Sequence, residues 1–103
     1  MKKQLLVLFF ALLPMLAMAD DSGKCGSDVT WTYTESTKTL TIQGSGAMED
    51  YSENNQAPWG NTIRKVIIEN GVTDIGSFSF RQSEQLTEAV IPKSMKTIGN
   101  RAF

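Results

Sequence analysis

The fold is decided by a stretch that repeats itself, IRKVIIENGVTDIGSFSFRQSEQ at residues 63–85 followed by LTEAVIPKSMKTIGNRAF at residues 86–103. The two copies align at an offset of 23 residues without a gap, and apolar positions of one copy match apolar positions of the other. A fixed period in the twenties is typical of a solenoid, in which each unit buries its apolar face against its neighbours. We therefore predict two repeats over residues 63–103, the second of them incomplete.

Alternation within each repeat assigns side chains to the inside or the outside of a ladder of parallel strands. Facing inward we expect Ile63, Val66 and Ile68 of the first copy and Leu86, Ala89 and Ile91 of the second. Facing outward we expect Lys65 and Ile67, matched in the second copy by Glu88 and Val90. Neighbouring parallel strands lie about 4.8 Å apart, so Lys65 should stack against Glu88. Ile67 should stack in the same way against Val90.

Each repeat then turns and closes on an aromatic side chain. Gly76 and Gly99 occupy matching positions where we expect the chain to turn sharply and a Cβ atom to be costly. Phe80 and Phe103 follow at matching positions. We expect them to close the units from short helical turns.

The first 19 residues have the features of a secretory signal peptide. Lys2 and Lys3 precede an apolar run over residues 5–13, and Ala17-Met18-Ala19 provides a small-x-small cleavage site. The apolar run is shorter than the about 20 residues that a membrane-spanning helix needs. We predict cleavage after Ala19 and export, with no stable membrane insertion afterwards; an uncleaved anchor is the alternative.

Charge and cysteine content restrict the partners of the exported chain. Residues 20–103 carry 8 basic and 11 acidic side chains, a net charge of −3. A nucleic-acid partner would call for a basic face, so the composition argues against one. Export permits disulfides, but Cys25 is the only cysteine and is either a free thiol or paired with another chain.

Residues 20–62 form a separate N-terminal module in this interpretation. Residues 20–27 are a polar lead-in that we expect to be flexible. Residues 29–34 and 39–43 alternate between apolar side chains and threonines on either side of a short polar break, which predicts a β-hairpin with a four-residue turn and a solvated threonine face. The polar residues 49–56 should form a surface loop, and Trp59 should cover the open end of the first repeat.

The sequence offers little for catalysis, metals or cofactors. It contains no histidine, which excludes Ser-His-Asp and Cys-His arrangements, and one cysteine is too few for structural zinc. Glu49, Asp50 and Glu53 supply hard oxygen ligands, but their spacing matches no calcium loop, and a solvated turn is the better interpretation. We predict that the protein is not an enzyme and needs no cofactor or metal.

Several motifs resemble the BspA-type leucine-rich repeat of bacterial and protozoan surface proteins. Leu86, Ile91-Pro92, Ile98-Gly99 and Ala102-Phe103 follow its pattern closely. The first copy departs from it, with Glu69 in place of the proline and Ser79 in place of the alanine, and Ser83 stands where many members carry cysteine.

The N-terminal module also resembles the segment that often precedes such repeats. The matching motifs are Cys25-Gly26, Val29-Thr30-Trp31, Leu40-Thr41-Ile42, Gly44-Ser45-Gly46-Ala47-Met48, Asp50-Tyr51 and Ala57-Pro58-Trp59. The resemblance implies a mainly β fold: an N-terminal β-hairpin module followed by a short leucine-rich-repeat solenoid. It also implies cell-surface adhesion and binding of host proteins, although no ligand residue follows from it.

Two surfaces are candidates for a partner. The first is the outward strip of Lys65, Ile67, Glu88 and Val90, because solenoids bind partners on extended surfaces. A neighbouring segment that covers the strip is the alternative. The second surface is the threonine face of the hairpin, for which plain solvation is the better interpretation.

Our functional hypothesis is a secreted or surface-displayed module that binds a protein partner, with a host extracellular or surface protein as the candidate, through Lys65, Ile67, Glu88 and Val90. One alternative is a non-functional or purely structural fragment of a longer repeat protein. The second repeat stops before it is complete, and solenoids usually need at least three repeats. We therefore expect a truncated product or gene fragment rather than a complete small protein. A small enzyme is the second alternative, which the missing histidine argues against.

Overall fold

A computed structural model describes residues 21–103, so the predicted signal peptide lies outside the described residues. The described chain contains eight strands. They are β1 (Asp21–Lys24), β2 (Val29–Thr34), β3 (Thr39–Gly44), β4 (Gly46–Ala47), β5 (Lys65–Ile68), β6 (Val72–Ile75), β7 (Glu88–Val90) and β8 (Thr97–Ile98). They form a five-stranded sheet in the order β1-β2-β3-β5-β7 and a three-stranded sheet in the order β4-β6-β8. The mainly β fold is confirmed.

The predicted hairpin is β2 and β3, which pair antiparallel across the turn at residues 35–38. Its apolar side chains are buried, and its threonines are exposed or half-buried on the other face. Alternation produces this division because successive side chains of a strand point to opposite faces of the sheet. The predicted loop length is also confirmed, since Lys38 N donates a hydrogen bond to Glu35 O over 3.2 Å.

The prediction of a flexible lead-in is wrong. Residues Asp21–Lys24 form β1, which pairs antiparallel with β2 and is the edge strand of the larger sheet. Backbone pairing drives this, because the segment contributes no buried apolar side chain and its residues remain exposed or half-buried. A strand held mainly by main-chain hydrogen bonds leaves no hydrophobic alternation in the sequence.

The parallel ladder has the predicted register. Lys65 pairs with Glu88 and Ile67 pairs with Val90 along β5 and β7. The ladder also extends one strand further than predicted, because β3 of the hairpin pairs in parallel with β5, with Thr39 opposite Lys65. One strand therefore serves both the hairpin and the ladder.

A second parallel ladder lies along β4, β6 and β8. Each coil contributes one short strand to it, of two to four residues. Thr73 donates a hydrogen bond to Asp74 over 2.7 Å, and Thr97 of the next strand donates to the same carboxylate. Both hydrogen bonds favour the charged carboxylate and so hold the pKa of Asp74 below its usual value. The hydrogen bond from Thr97 contributes most to this lowering, and that from Thr73 comes second.

The inward assignment holds for the first copy and only partly for the second. Ile63, Val66 and Ile68 are buried, whereas Leu86 is half-buried and Ala89 and Ile91 are exposed. The difference follows from position, because within residues 21–103 no further strand pairs with the outer edge of β7. An inward-facing residue is buried only when a neighbouring coil covers it.

The prediction of short helical turns is wrong. No helix occurs in the described part of the chain, and residues 77–82 form a run of turns. Phe78 and Arg101 occupy matching positions of the two copies and both have a positive backbone angle φ, of 62° and 55°. A left-handed residue interrupts a right-handed helix, so the chain turns in each coil without completing a helical turn.

An aromatic stack joins the hairpin to the repeats. Trp59 stacks on Phe80 with ring centroids 5.6 Å apart, and Phe80 stacks on Phe103 at 5.1 Å. Trp31 and Tyr51 meet the Trp59 ring edge-on at 5.8 and 5.6 Å. Trp59 thus covers the end of the first repeat, as predicted, and bridges it to the hairpin core.

Candidate functional site

The outward strip lies on two neighbouring strands of the larger sheet. The strip, which we define as Lys65, Ile67, Glu88 and Val90, forms two cross-strand rows. Lys65 Nζ lies 3.5 Å from Glu88 Oε2, and both side chains remain well exposed. The Ile67 side chain is half-buried and that of Val90 is 43% exposed. The strip therefore presents an ion pair beside a small apolar row.

The structure joins the strip to the threonine face of the hairpin. Thr39 lies opposite Lys65 and Thr41 lies opposite Ile67, so each row continues from β7 through β5 onto β3. Thr32 of β2 extends the second row by one more strand. The two surfaces that the sequence suggests separately are one continuous sheet face.

Sequence reasoning missed this continuity because the spacing breaks. Thr39 and Lys65 are 26 residues apart, whereas the repeats follow each other at 23. The three extra residues fall between β4 and β5, which start 19 residues apart, whereas β6 and β7 start 16 apart. One sequence feature could have indicated that β3 belongs to the ladder, namely the apolar pair Leu40 and Ile42. This pair occupies the same inward positions as Val66 and Ile68 in the next coil.

Charges at the hairpin turn pair locally. Lys38 Nζ donates a hydrogen bond to Glu35, three residues earlier in the same turn. This hydrogen bond lowers the pKa of Glu35 and raises the pKa of Lys38, because it stabilises the charged form of each group. The charges of Glu35 and Lys38 therefore offset each other, and Arg64 adds a further positive charge close to Lys38.

The acidic cluster considered for calcium does not converge. Asp50 Oδ1 accepts a hydrogen bond from the backbone N–H of Ser77 over 2.8 Å, which connects two coils. Glu53 Oε2 lies 2.9 Å from Arg81 Nη1. Over residues 21–103 no group of three acidic or cysteine side chains is placed to hold a metal ion. The observed contacts of both carboxylates are structural.

Cys25 lies in the core of the module. Its side chain is fully buried, and burial, with a smaller contribution from Glu49, raises the pKa of its thiol to about 12. Its backbone N–H donates to Val29 O, and its carbonyl accepts from Glu49 N, so it anchors the start of β2 to the loop after β4. The thiol therefore packs as a small apolar group in this structure.

Comparison with family models matches residues 32–103 to the BspA type leucine rich repeat region (6 copies). The match begins inside β2 and includes both repeats. It therefore contains all of β3, the strand that the hairpin and the parallel ladder share. The chain belongs to the BspA-type leucine-rich repeat family. The resemblance inferred from the repeat motifs is thereby confirmed.

A solved structure supports the same fold. The chain matches a leucine-rich repeat protein from Eubacterium ventriosum with a TM-score of 0.73 and 29% sequence identity, over 81% of this chain. It spans 23% of the length of that protein. Comparison with curated proteins gives no match.

Membership of this family sets the broad functional class. Leucine-rich repeats are in general protein-interaction modules rather than enzymes, and BspA-type members are typically secreted or surface proteins of bacteria. Within residues 21–103 no helix is long and apolar enough to cross a membrane.

Proposed function

We propose that this protein is an exported binding module that recognises a protein partner through the outward strip. The observation that carries the proposal is the continuous sheet face, in which the apolar row of Ile67 and Val90 lies beside the exposed pair Lys65 and Glu88. An apolar centre with a polar margin is the usual composition of a protein interface. The threonines of β2 and β3 enlarge the face without adding charge.

Export and surface display are part of this proposal. The leader at residues 1–19 supports it, as does the typical location of BspA-type proteins. The partner is then an extracellular protein of a host, and the function is adhesion. Nucleic acid is not among the expected partners, because the chain beyond the leader carries a net charge of −3.

The test measures binding of the full chain to host extracellular-matrix proteins, immobilised one by one, by surface plasmon resonance. Val90→Asp places a charge in the apolar row, and we expect affinity for the bound protein to fall at least about tenfold. Ile98→Asp is the matched control, because Ile98 is also an exposed apolar residue, at 56%, but lies on β8 of the other sheet.

Two results would contradict the proposal. One is that Ile98→Asp weakens binding as much as Val90→Asp, which would move the interface away from the strip. The other is that no matrix protein binds the folded wild-type chain. Circular dichroism of each variant confirms that the fold is retained.

A further inference from the structure

A pocket of about 170 Å³ lies on a different part of the molecule from the outward strip. One wall is the loop at residues 52–61 and the other is the turn at residues 78–82. None of its lining residues belongs to a strand. A more open depression of about 420 Å³ continues from it past Asn61 and Gln82 towards Glu84 and Gln85, so the two form one groove.

The pocket walls are fixed by contacts with the core. Trp59 Nε1–H donates to Ser79 O over 3.0 Å, which joins the loop to the turn from behind. Phe78 N donates to the Asn100 carbonyl of the next coil over 3.1 Å. Across the pocket, Arg81 Nη1 lies 2.9 Å from Glu53 Oε2. A preformed site loses little conformational entropy when a ligand binds.

The lining is rich in carboxamides. Gln56, Asn61 and Gln82 line the main pocket, and Gln85 lines its extension. Each carboxamide offers two N–H donors and one carbonyl acceptor. Within residues 21–103 the side chains of Asn61 and Gln82 make no hydrogen bond to the protein, and both residues are exposed. They are available to a ligand whose groups both donate and accept.

The remaining lining residues offer no unpaired cation and supply an apolar surface. Arg81 is paired with Glu53, and its guanidinium also lies 5.3 Å from the centroid of the Phe78 ring. Arg81 therefore already has a carboxylate partner, and Glu84 adds negative charge to the extension. Phe78, which is half-buried, contributes an aromatic ring to the polar pocket.

The size of the main pocket and the backbone of its walls fit a single ring better than an extended peptide. The main pocket, at about 170 Å³, has room for about one ring, since pockets for drug-sized ligands usually start at about 300 Å³. Capture of an extended peptide commonly uses a free strand edge, which the walls lack. A compact, uncharged ring with several hydroxyl groups fits the volume, the carboxamides and the aromatic ring.

We propose that this pocket binds a neutral saccharide ring, with Asn61 and Gln82 hydrogen-bonding its hydroxyls and the accessible part of the Phe78 side chain, beside Arg81, contacting an apolar part of the ring. The extension towards Gln85 holds an adjoining residue of the same glycan. A free oligosaccharide and a glycan on a glycoprotein present this same chemistry. The site is independent of the outward strip.

The first experiment is a ¹H–¹⁵N NMR titration of the full chain with methyl glycosides of glucose, galactose, mannose and N-acetylglucosamine. We expect at least one glycoside, at millimolar concentration, to shift the side-chain amides of Asn61 and Gln82 and the indole N–H of Trp59. Absence of saturable shifts with all four glycosides overturns the proposal, as do shifts confined to β5 and β7.

Variants then test the assigned residues. Asn61→Ala and Gln82→Ala should each weaken binding of the same glycoside about tenfold, whereas Gln43→Ala, which removes an exposed carboxamide from β3, should leave it unchanged. Unchanged affinity in both pocket variants overturns the proposal. Gln82 has a positive φ of 65°, so Gln82→Ala is the variant at risk of not folding. If it does not fold, Asn61→Ala still tests the proposal.

A last comparison separates the two sources of the ligand and the two proposed sites. Binding to an immobilised glycoprotein that is lost after enzymatic deglycosylation identifies a protein-borne glycan, whereas binding to free oligosaccharide alone identifies a soluble one. Val90→Asp should leave glycoside binding unchanged. A loss of glycoside binding in Val90→Asp with the fold intact overturns the assignment to the pocket.

Discussion

Substitution of Gly76 by alanine should destabilise the protein far more than an ordinary glycine substitution. A Cβ atom built on Gly76 would lie 1.7 Å from the carbonyl oxygen of Glu49 in the preceding coil, and that oxygen belongs to the backbone. The backbone of Gly76 does not have a positive φ, so the whole effect is steric. The two coils would have to separate by more than an ångström.

The expected loss of stability follows from the hydrogen bonds that connect the two coils next to Gly76. Tyr51 N donates to Ser77 O over 2.8 Å, and Ser77 N donates to Asp50 Oδ1 over 2.8 Å. Breaking both hydrogen bonds costs about 1 kcal/mol each, and the overpacking adds about 1–3 kcal/mol. We expect a loss of about 3–5 kcal/mol from a free energy of unfolding of about 4–12 kcal/mol for a chain of this size.

Gly60→Ala is the matched control. Gly60 has a positive φ of 76°, but a Cβ atom there meets nothing within 4 Å. This substitution carries only the cost of a left-handed backbone, about 1–2 kcal/mol. The pair of variants therefore separates close approach of the coils from backbone conformation.

Urea unfolding followed by tryptophan fluorescence measures the effect, because Trp31 and Trp59 are both buried. With a slope of about 1 kcal/mol per molar urea, Gly76→Ala should lower the midpoint by about 3 M or more. Gly60→Ala should lower it by no more than about 2 M. Equal midpoints for the two variants would refute the close approach of the coils at Gly76.

Two further predictions concern the sheet face and the buried thiol. Lys65→Glu and Glu88→Lys should each lower stability, and the double reversal should recover most of the loss, because the exposed pair contributes about 0.2–1 kcal/mol; additive losses in a double-mutant cycle would contradict the pairing. Burial raises the pKa of the Cys25 thiol from 9.0 to about 12, so between these two pH values the thiol ionises in the unfolded chain but stays protonated in the folded one. Its contribution to stability is therefore full below pH 9 and is lost as pH rises towards 12. We expect Cys25→Ala to reduce the fall in thermal midpoint between pH 8 and pH 10, and equal falls in both proteins would contradict this linkage.

Sequence periodicity determined the parts of the fold in which side-chain burial decides the structure. The hairpin and the paired register of Lys65 with Glu88 both follow from which side chains must leave water. A slip of one residue in either would turn every apolar side chain to the solvent face. Such elements leave a strong pattern in the sequence, and their prediction is confirmed.

Backbone hydrogen bonding determined the parts that the sequence did not predict. The strands β1 and β4 contribute no buried large side chain, and both form because a neighbouring strand offers its main-chain groups. The turns that replace the expected helices depend on left-handed residues such as Phe78, which ordinary residue preferences disfavour. Neither effect produces a periodic signal.

The two candidate sites divide in the same way. The outward strip was predictable because strand register alone brings its four residues into two rows. The pocket was not, because its walls come from residues 52–61 and 78–82, which meet only when Trp59 packs between the hairpin and the first repeat.

Burial at a fixed period is a local property of each unit, so the amino-acid pattern alone specifies a β solenoid of the leucine-rich repeat type. Two features follow only from the folded chain: the hairpin supplies the first strand of the solenoid, and a polar pocket opens beside it. Both depend on contacts between segments far apart in the chain: the pairing of β3 with β5, and the packing of Trp59 against the turn that contains Ser79. These contacts exist only after the coils stack.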